Sequence, residues 1–144
     1  MIAVDTNLLV YAHREDSPWH EIALKVLTDL ANGSALWAIP WPCVHEFLAI
    51  VTHPKIYRPP TPVPTAIKAM KAWNESPTLR LLGESPDHLE RLEHLMMSAK
   101  ATGPMVHDAR IAALCLSHGV RQFWSADRDF SRFPSLKIKN PLID

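Results

Sequence analysis

The chain has 144 residues, 47% of them hydrophobic, which suits one globular domain over 1–144 that buries roughly 70% of the surface its unfolded form exposes. Fifteen basic residues balance fifteen acidic ones, which argues against a general polyanion binder. Cys43 and Cys115 stand in apolar segments without CxxC spacing, excluding a disulfide framework or a zinc knuckle, and no apolar run nears the ~18 residues of a membrane span, so a soluble cytoplasmic protein is expected.

Ile2 to Val4 reads as a short buried strand that runs into Asp5-Thr6-Asn7. Asp5 is placed either to cap a following helix or to present a carboxylate at the strand end. Behind Ser17 and Pro18, the residues Trp19, Ile22, Ala23, Val26, Leu27 and Leu30 recur at helical spacing up to Gly33. Leu36 to Ile39 gives a short strand or extended turn. Trp41-Pro42 opens a second helix, whose apolar positions Val44, Phe47, Leu48 and Val51 leave Glu46 on a flank. The proline-rich run from Arg58 to Pro64 is extended. It is read as an internal loop, because candidate site residues lie on both sides of it.

Ala66, Ile67, Met70 and Trp73 make a third helix and Leu79 to Leu82 another strand. Ser85-Pro86 starts a fourth helix with Leu89, Leu92 and Met96 on one face. Pro104 starts a fifth, with Val106, Ala109, Ala113 and Leu116 inward and Gly119 as its stop. Gln122 to Trp124 and Leu136 to Ile138 close the series as strands. Strands alternating with helices predict an α/β fold with a mainly parallel sheet covered on both faces.

In open parallel sheets ligands bind beyond the carboxyl ends of the strands. Asp5 and Asp127 fall there, and Glu46 and Asp108 come about one turn after proline-marked helix starts, near the same edge. Four carboxylates so gathered repel one another, by about 4 kcal/mol per pair at 4 Å for an effective dielectric near 20. A hard divalent cation removes that penalty, and Mg²⁺, with Mn²⁺ as substitute, favours an all-oxygen set. Such a centre suits phosphodiester hydrolysis by metal-activated water. With the four acids set aside, fifteen bases face eleven acids, and the bases gather between Lys55 and Arg80 and between Arg121 and Lys139, a field that attracts phosphates.

Other chemistries lack their residues. There is no GxSxG, GxxxxGK[ST] or GxGxxG. The eight histidines form no HExxH, and His45 and His107, each preceding a candidate ligand, turn about 100° away from it around a helix. His13, Arg14 and Arg110 are candidates for contact with a phosphate, against the plainer reading of surface charge. The five tryptophans, at 19, 37, 41, 73 and 124, are read as core or dimer-interface residues, with base stacking as a minor alternative.

Asp5-Thr6-Asn7, Glu46 within His45-Glu46-Phe47-Leu48, Asp108 within His107-Asp108-Ala109-Arg110-Ile111-Ala112, and Ser125-Ala126-Asp127-Arg128-Asp129-Phe130 together resemble the acidic motifs of PIN-domain nucleases. The likeness extends over essentially the whole chain to the VapC toxins of bacterial toxin–antitoxin pairs. It implies a PIN-like three-layer α/β/α fold, a Mg²⁺-dependent endoribonuclease, a homodimer, and a cognate antitoxin that covers the acidic site. Asp5, Glu46 and Asp108 would be primary ligands and Asp127 the fourth acid, with Asp129 as its substitute. Thr6, Asn7 and Ser125 would support them by hydrogen bonding. Two other functions remain open at this point: a housekeeping PIN nuclease that processes RNA, and a catalytically silent module that binds RNA or protein.

Overall fold

In the computed structural model, which describes residues 1–143, the chain orders itself as β1 (Ile2–Val4), α1 (Thr6–His13), α2 (His20–Asn32), β2 (Trp37–Pro40), α3 (Trp41–Val51), α4 (Val63–Asn74), β3 (Leu79–Leu82), α5 (His88–Ala99), α6 (Met105–Ser117), β4 (Gln122–Trp124), a 3₁₀ turn at Arg128–Arg132, and β5 (Lys137–Lys139). Asp144, where the single-domain expectation ends, lies outside the described residues. The five strands form one sheet in the order β3-β2-β1-β4-β5, with every neighbouring pair parallel. β1 is central, with Ile2 opposite Trp37 on one side and Gln122 on the other.

The connections from β1 to β2 and from β2 to β3 step one way across the sheet, and the connection from β3 to β4 steps back past β1. Right-handed crossovers therefore put α1 to α4 on one face and α5 and α6 on the other. The order of strands reverses between β1 and β4, which makes the carboxyl ends of these two strands the natural crevice. Backbone pairing runs past both ends: the Asp5 N–H donates to the Trp124 carbonyl and the Ser125 N–H to the Lys139 carbonyl, each at 2.9 Å.

The core is dominated by Trp37, Phe47, Phe123, Phe130 and Phe133, all fully buried. Phe123 meets Phe130 edge-on at 4.8 Å between ring centres, and Phe47 meets Trp73 likewise at 5.2 Å. Geometry of this kind adds about 0.5–1.5 kcal/mol per pair beyond burial. The Phe130 contact ties the 3₁₀ turn after Asp127 onto β4.

Several details differ from the pattern read in the sequence. Thr6–His13, where the sequence shows no helical period, is a helix capped by Asp5. Its apolar residues Leu8, Leu9, Val10 and Ala12 are all buried, because α2 and α3 pack against it from different sides, so it shows little amphipathic period. In α5, Leu92 and Met96 pack against the core as predicted, but Leu89 is exposed and Leu95 is the buried residue of the helix. In α6, Ile111, Ala112, Leu114 and Cys115 are buried along with Ala109 and Ala113, whereas Val106 and Leu116 are half-buried. That helix is covered from more than one side, by α5 as well as by the sheet. Trp19 and Trp41 are 38% and 41% exposed rather than core. Gly119, at φ +72°, takes the left-handed conformation expected after the end of α6.

Candidate metal centre

Asp5, Glu46, Asp108 and Asp127 line a single open pocket of ≈ 370 Å³ at the carboxyl edge of the sheet, together with Thr6, Asn7 and the side chains of Tyr11, Tyr57 and Phe130. The four acids come from four places in the chain. Asp5 caps α1 directly after β1, Glu46 is in the second turn of α3, Asp108 is in the first turn of α6, and Asp127 caps the 3₁₀ turn after β4.

Asp5 is the most enclosed, at 5% exposure. Its Oδ1 accepts from the Thr6 N–H at 2.7 Å and from the Cys43 thiol at 3.6 Å, and its Oδ2 accepts from the Ser125 hydroxyl at 2.7 Å and from the Asn7 amide at 3.5 Å. Burial raises its pKa to about 6, and the neighbouring Glu46 charge pushes the same way; the bonds from Ser125 and Thr6 oppose but do not overcome this. Burial also holds the Cys43 thiol well above its ordinary range, so it remains protonated and can donate.

The supporting residues are interlinked. The Thr6 hydroxyl donates to Glu46 Oε2 at 2.7 Å, which ties the start of α1 to α3. Asn7 donates to the Ser125 hydroxyl at 3.3 Å and accepts from the Ala126 N–H at 3.2 Å, which ties α1 to the loop after β4. The Ser125 hydroxyl in turn accepts from the Asp127 N–H at 2.9 Å, and Asp127 Oδ1 accepts from the Asp129 N–H at 2.9 Å. The carboxylates of Asp5, Glu46 and Asp127 are thus each oriented by a partner from another element or by a cap of their own.

Asp108, Asp127 and Asp129 each offer an oxygen within 4.8 Å of the others. The Asp108 pKa is raised, first by burial and then by the charges of Asp127, Asp129 and Glu46. Asp129, read in the sequence only as a substitute, therefore belongs to the tightest acidic group among the described residues. Its place two positions after Asp127 in a turn was the available signal. The pocket residues that the sequence did not single out, Tyr11 and Tyr57 among them, carry no motif and become visible only through the fold.

Neither arginine named as a phosphate contact lines this pocket. Arg14 is bound by Asp16 at 2.6 Å and donates to the Pro59 carbonyl and the Thr61 hydroxyl, with its guanidinium 4.2 Å above the Tyr57 ring. Arg110 pairs with Glu84 at 3.0 Å. His13 shares a hydrogen bond with Thr61, and His45 and His107 face a neighbouring cavity.

An acid-lined pocket of all-oxygen donors beyond a parallel five-stranded α/β sheet defines a class, and the PIN-domain family model matches residues 2–136. The chain belongs to the PIN-domain family. It is 30% identical over 137 residues to Ribonuclease VapC48 of Mycobacterium tuberculosis, covering 95% of this chain and 94% of that protein. It is 32% identical over 142 residues to VapC ribonuclease Mb2897 of Mycobacterium bovis, covering 99% and 96%. Among solved structures, VapBC2 of Rickettsia felis bound to promoter DNA superposes with a TM-score of 0.71 at 18% identity, covering 97% of this chain and 98% of that one. The sarcin-ricin-loop-cleaving toxin VapC20 of Mycobacterium tuberculosis superposes with a TM-score of 0.66 at 18% identity, covering 91% and 93%.

Proposed function

We propose that this chain is a Mg²⁺-dependent endoribonuclease of the VapC toxin type, held in check by a cognate antitoxin. The observation that carries the reading is the convergence of Asp5, Glu46, Asp108 and Asp127 from four elements onto one open pocket. Curated relatives named VapC ribonucleases at about the same length support it.

The donor set fits a hard cation: carboxylate oxygens from Asp5, Glu46, Asp108 and Asp127, with Asp129 beside the last two, and no histidine or cysteine among the lining residues. The elevated carboxyls of Asp5 and Asp108 fit as well, since both resist ionisation without a compensating charge. When bound, a divalent cation supplies Lewis-acid activation of water and charge neutralisation at phosphorus. The chain's own residues supply the positioning. Ser125 and Thr6 fix Asp5 and Glu46, the turn cap fixes Asp127, and the packed floor of Ile111 and Phe130 limits where solvent enters.

The partners follow from the relatives. Solved neighbours include toxin–antitoxin complexes, some with DNA, and we infer an antitoxin partner for this chain; a homodimer is part of the same reading on the strength of the family resemblance alone. The direct test is cleavage of RNA by the purified protein with Mg²⁺ and with chelator. Cleavage is expected only with the metal, and Asp108→Asn is expected to abolish both cleavage and growth arrest on expression. Equal cleavage in chelator, or a fully toxic Asp108→Asn chain, overturns the proposal.

A further inference from the structure

Next to the acidic pocket lies a second cavity of ≈ 270 Å³, between the N-terminal turns of α3 and α6. The two cavities share Glu46 and Ile111 as a common wall. On the acidic side the lining is carboxylate. On the far side it is His45, His107 and Arg110, residues that can donate hydrogen bonds to an anion. Hydrogen-bond donors therefore stand on one side of Glu46 and carboxylates on the other.

Beside His45, outside the cavity's own lining, stands Trp41. It is 41% exposed, and its ring lies 5.9 Å from that of His45 at a 31° tilt, with Cδ1 3.7 Å from where a Cβ on Gly83 would stand. The next residue, Glu84, holds Arg110. Both members of that pair are more than one-third exposed, so the pair contributes little and Arg110 can exchange its carboxylate for a phosphate. A cationic side chain beside a partly exposed aromatic ring is a pairing by which single-stranded nucleic acid is held without sequence preference.

We propose that this cavity is the subsite for the nucleotide adjoining the one cleaved, with its phosphate on Arg110 and its base stacked on Trp41. The inference rests on the ribonuclease reading for its occupant. The shared wall argues for RNA, because a strand passing over Glu46 reaches both cavities in continuous succession. Glu84 then acts as a competitor for Arg110, and its loss favours the strand.

The test measures binding of a labelled single-stranded oligoribonucleotide to the full chain in chelator, where it does not depend on cleavage, and KM and kcat with Mg²⁺. Trp41→Ala and Arg110→Gln are each expected to weaken binding by about tenfold, the scale of one stacked base or one phosphate contact. Trp41→Phe restores most of the loss, and Glu84→Gln tightens binding several-fold. With Mg²⁺, KM rises in the weakened variants while kcat is retained. If Trp41→Ala does not fold, Arg110→Gln and Glu84→Gln decide by the same readout. Unchanged binding in Arg110→Gln and Glu84→Gln overturns the subsite, as does a Trp41→Ala chain that binds RNA normally but loses its antitoxin. Failure of metal-dependent cleavage sinks the ribonuclease reading instead and leaves the binding comparison to judge this one.

Discussion

A carboxyl buried to 5% exposure among other acids makes its own protonation part of the folding equilibrium. The folded Asp5 has a pKa of about 6 against an ordinary 3.8. Folding therefore favours the protonated form, and the stability it contributes is complete below about pH 4 and lost as the pH rises through about 6. The difference is on the order of 2–3 kcal/mol in metal-free protein. Asp5→Asn keeps the shape and has no such loss. Its stability relative to the wild type should grow between about pH 4.5 and 7, measured by urea unfolding in chelator; a gap that stays constant between those two pH values refutes the assignment of burial as the cause.

At the level of elements, the end of α1 acts as a staple. Arg14 joins Asp16, the Pro59 carbonyl and the Thr61 hydroxyl, and covers Tyr57, whose ring lines the acidic pocket. The Thr61 N–H also donates to the Val51 carbonyl at 2.7 Å, so the proline-rich loop is fastened to both α1 and α3. Removing the guanidinium in Arg14→Ala frees the loop's exposed tip at Lys55. Trypsin should then cut after Lys55 several-fold faster than in the wild type, while an unchanged cutting rate would show that the staple is idle.

The elements also explain what was legible. Helices with one apolar stripe, such as α4, and strands bounded by turns were readable because their periods are visible in the sequence. The helix α1 was not, because burial on several sides removes its period. The acids were found because each follows a strand or opens a helix, and topology alone carries those positions to one edge. Asp129 was placed behind Asp127 because spacing cannot say which of two carboxylates in a turn points inward. The arginines were harder still: Asp16 stands two residues from Arg14, a signal the sequence held, whereas only the folded chain brings Glu84 against Arg110.

For the whole molecule, the balance of charge is misleading, since the four acids proposed as ligands converge on one pocket whose lining contains no basic residue. A cation in that pocket should stabilise the entire fold. At a concentration about a hundred times its dissociation constant, a ligand that binds only the native state adds about 2.7 kcal/mol. For a chain of this size that corresponds to a rise of roughly 5–10 °C in Tm. Mg²⁺ or Mn²⁺ should produce such a rise in the wild type and little or none in an Asp108→Asn, Asp127→Asn double variant, with differential scanning calorimetry as the measurement. Equal rises in both would place the cation somewhere else.

The central position of β1 has a consequence for how such an enzyme is made. Asp5 leaves the ribosome 120 residues ahead of its Ser125 partner, and the strand that delivers Asp127 pairs directly with β1. A nascent polypeptide therefore carries the first acid through the synthesis of six helices without the last. A product terminated before β4 lacks Asp127, and the four acids come together only after that strand has emerged.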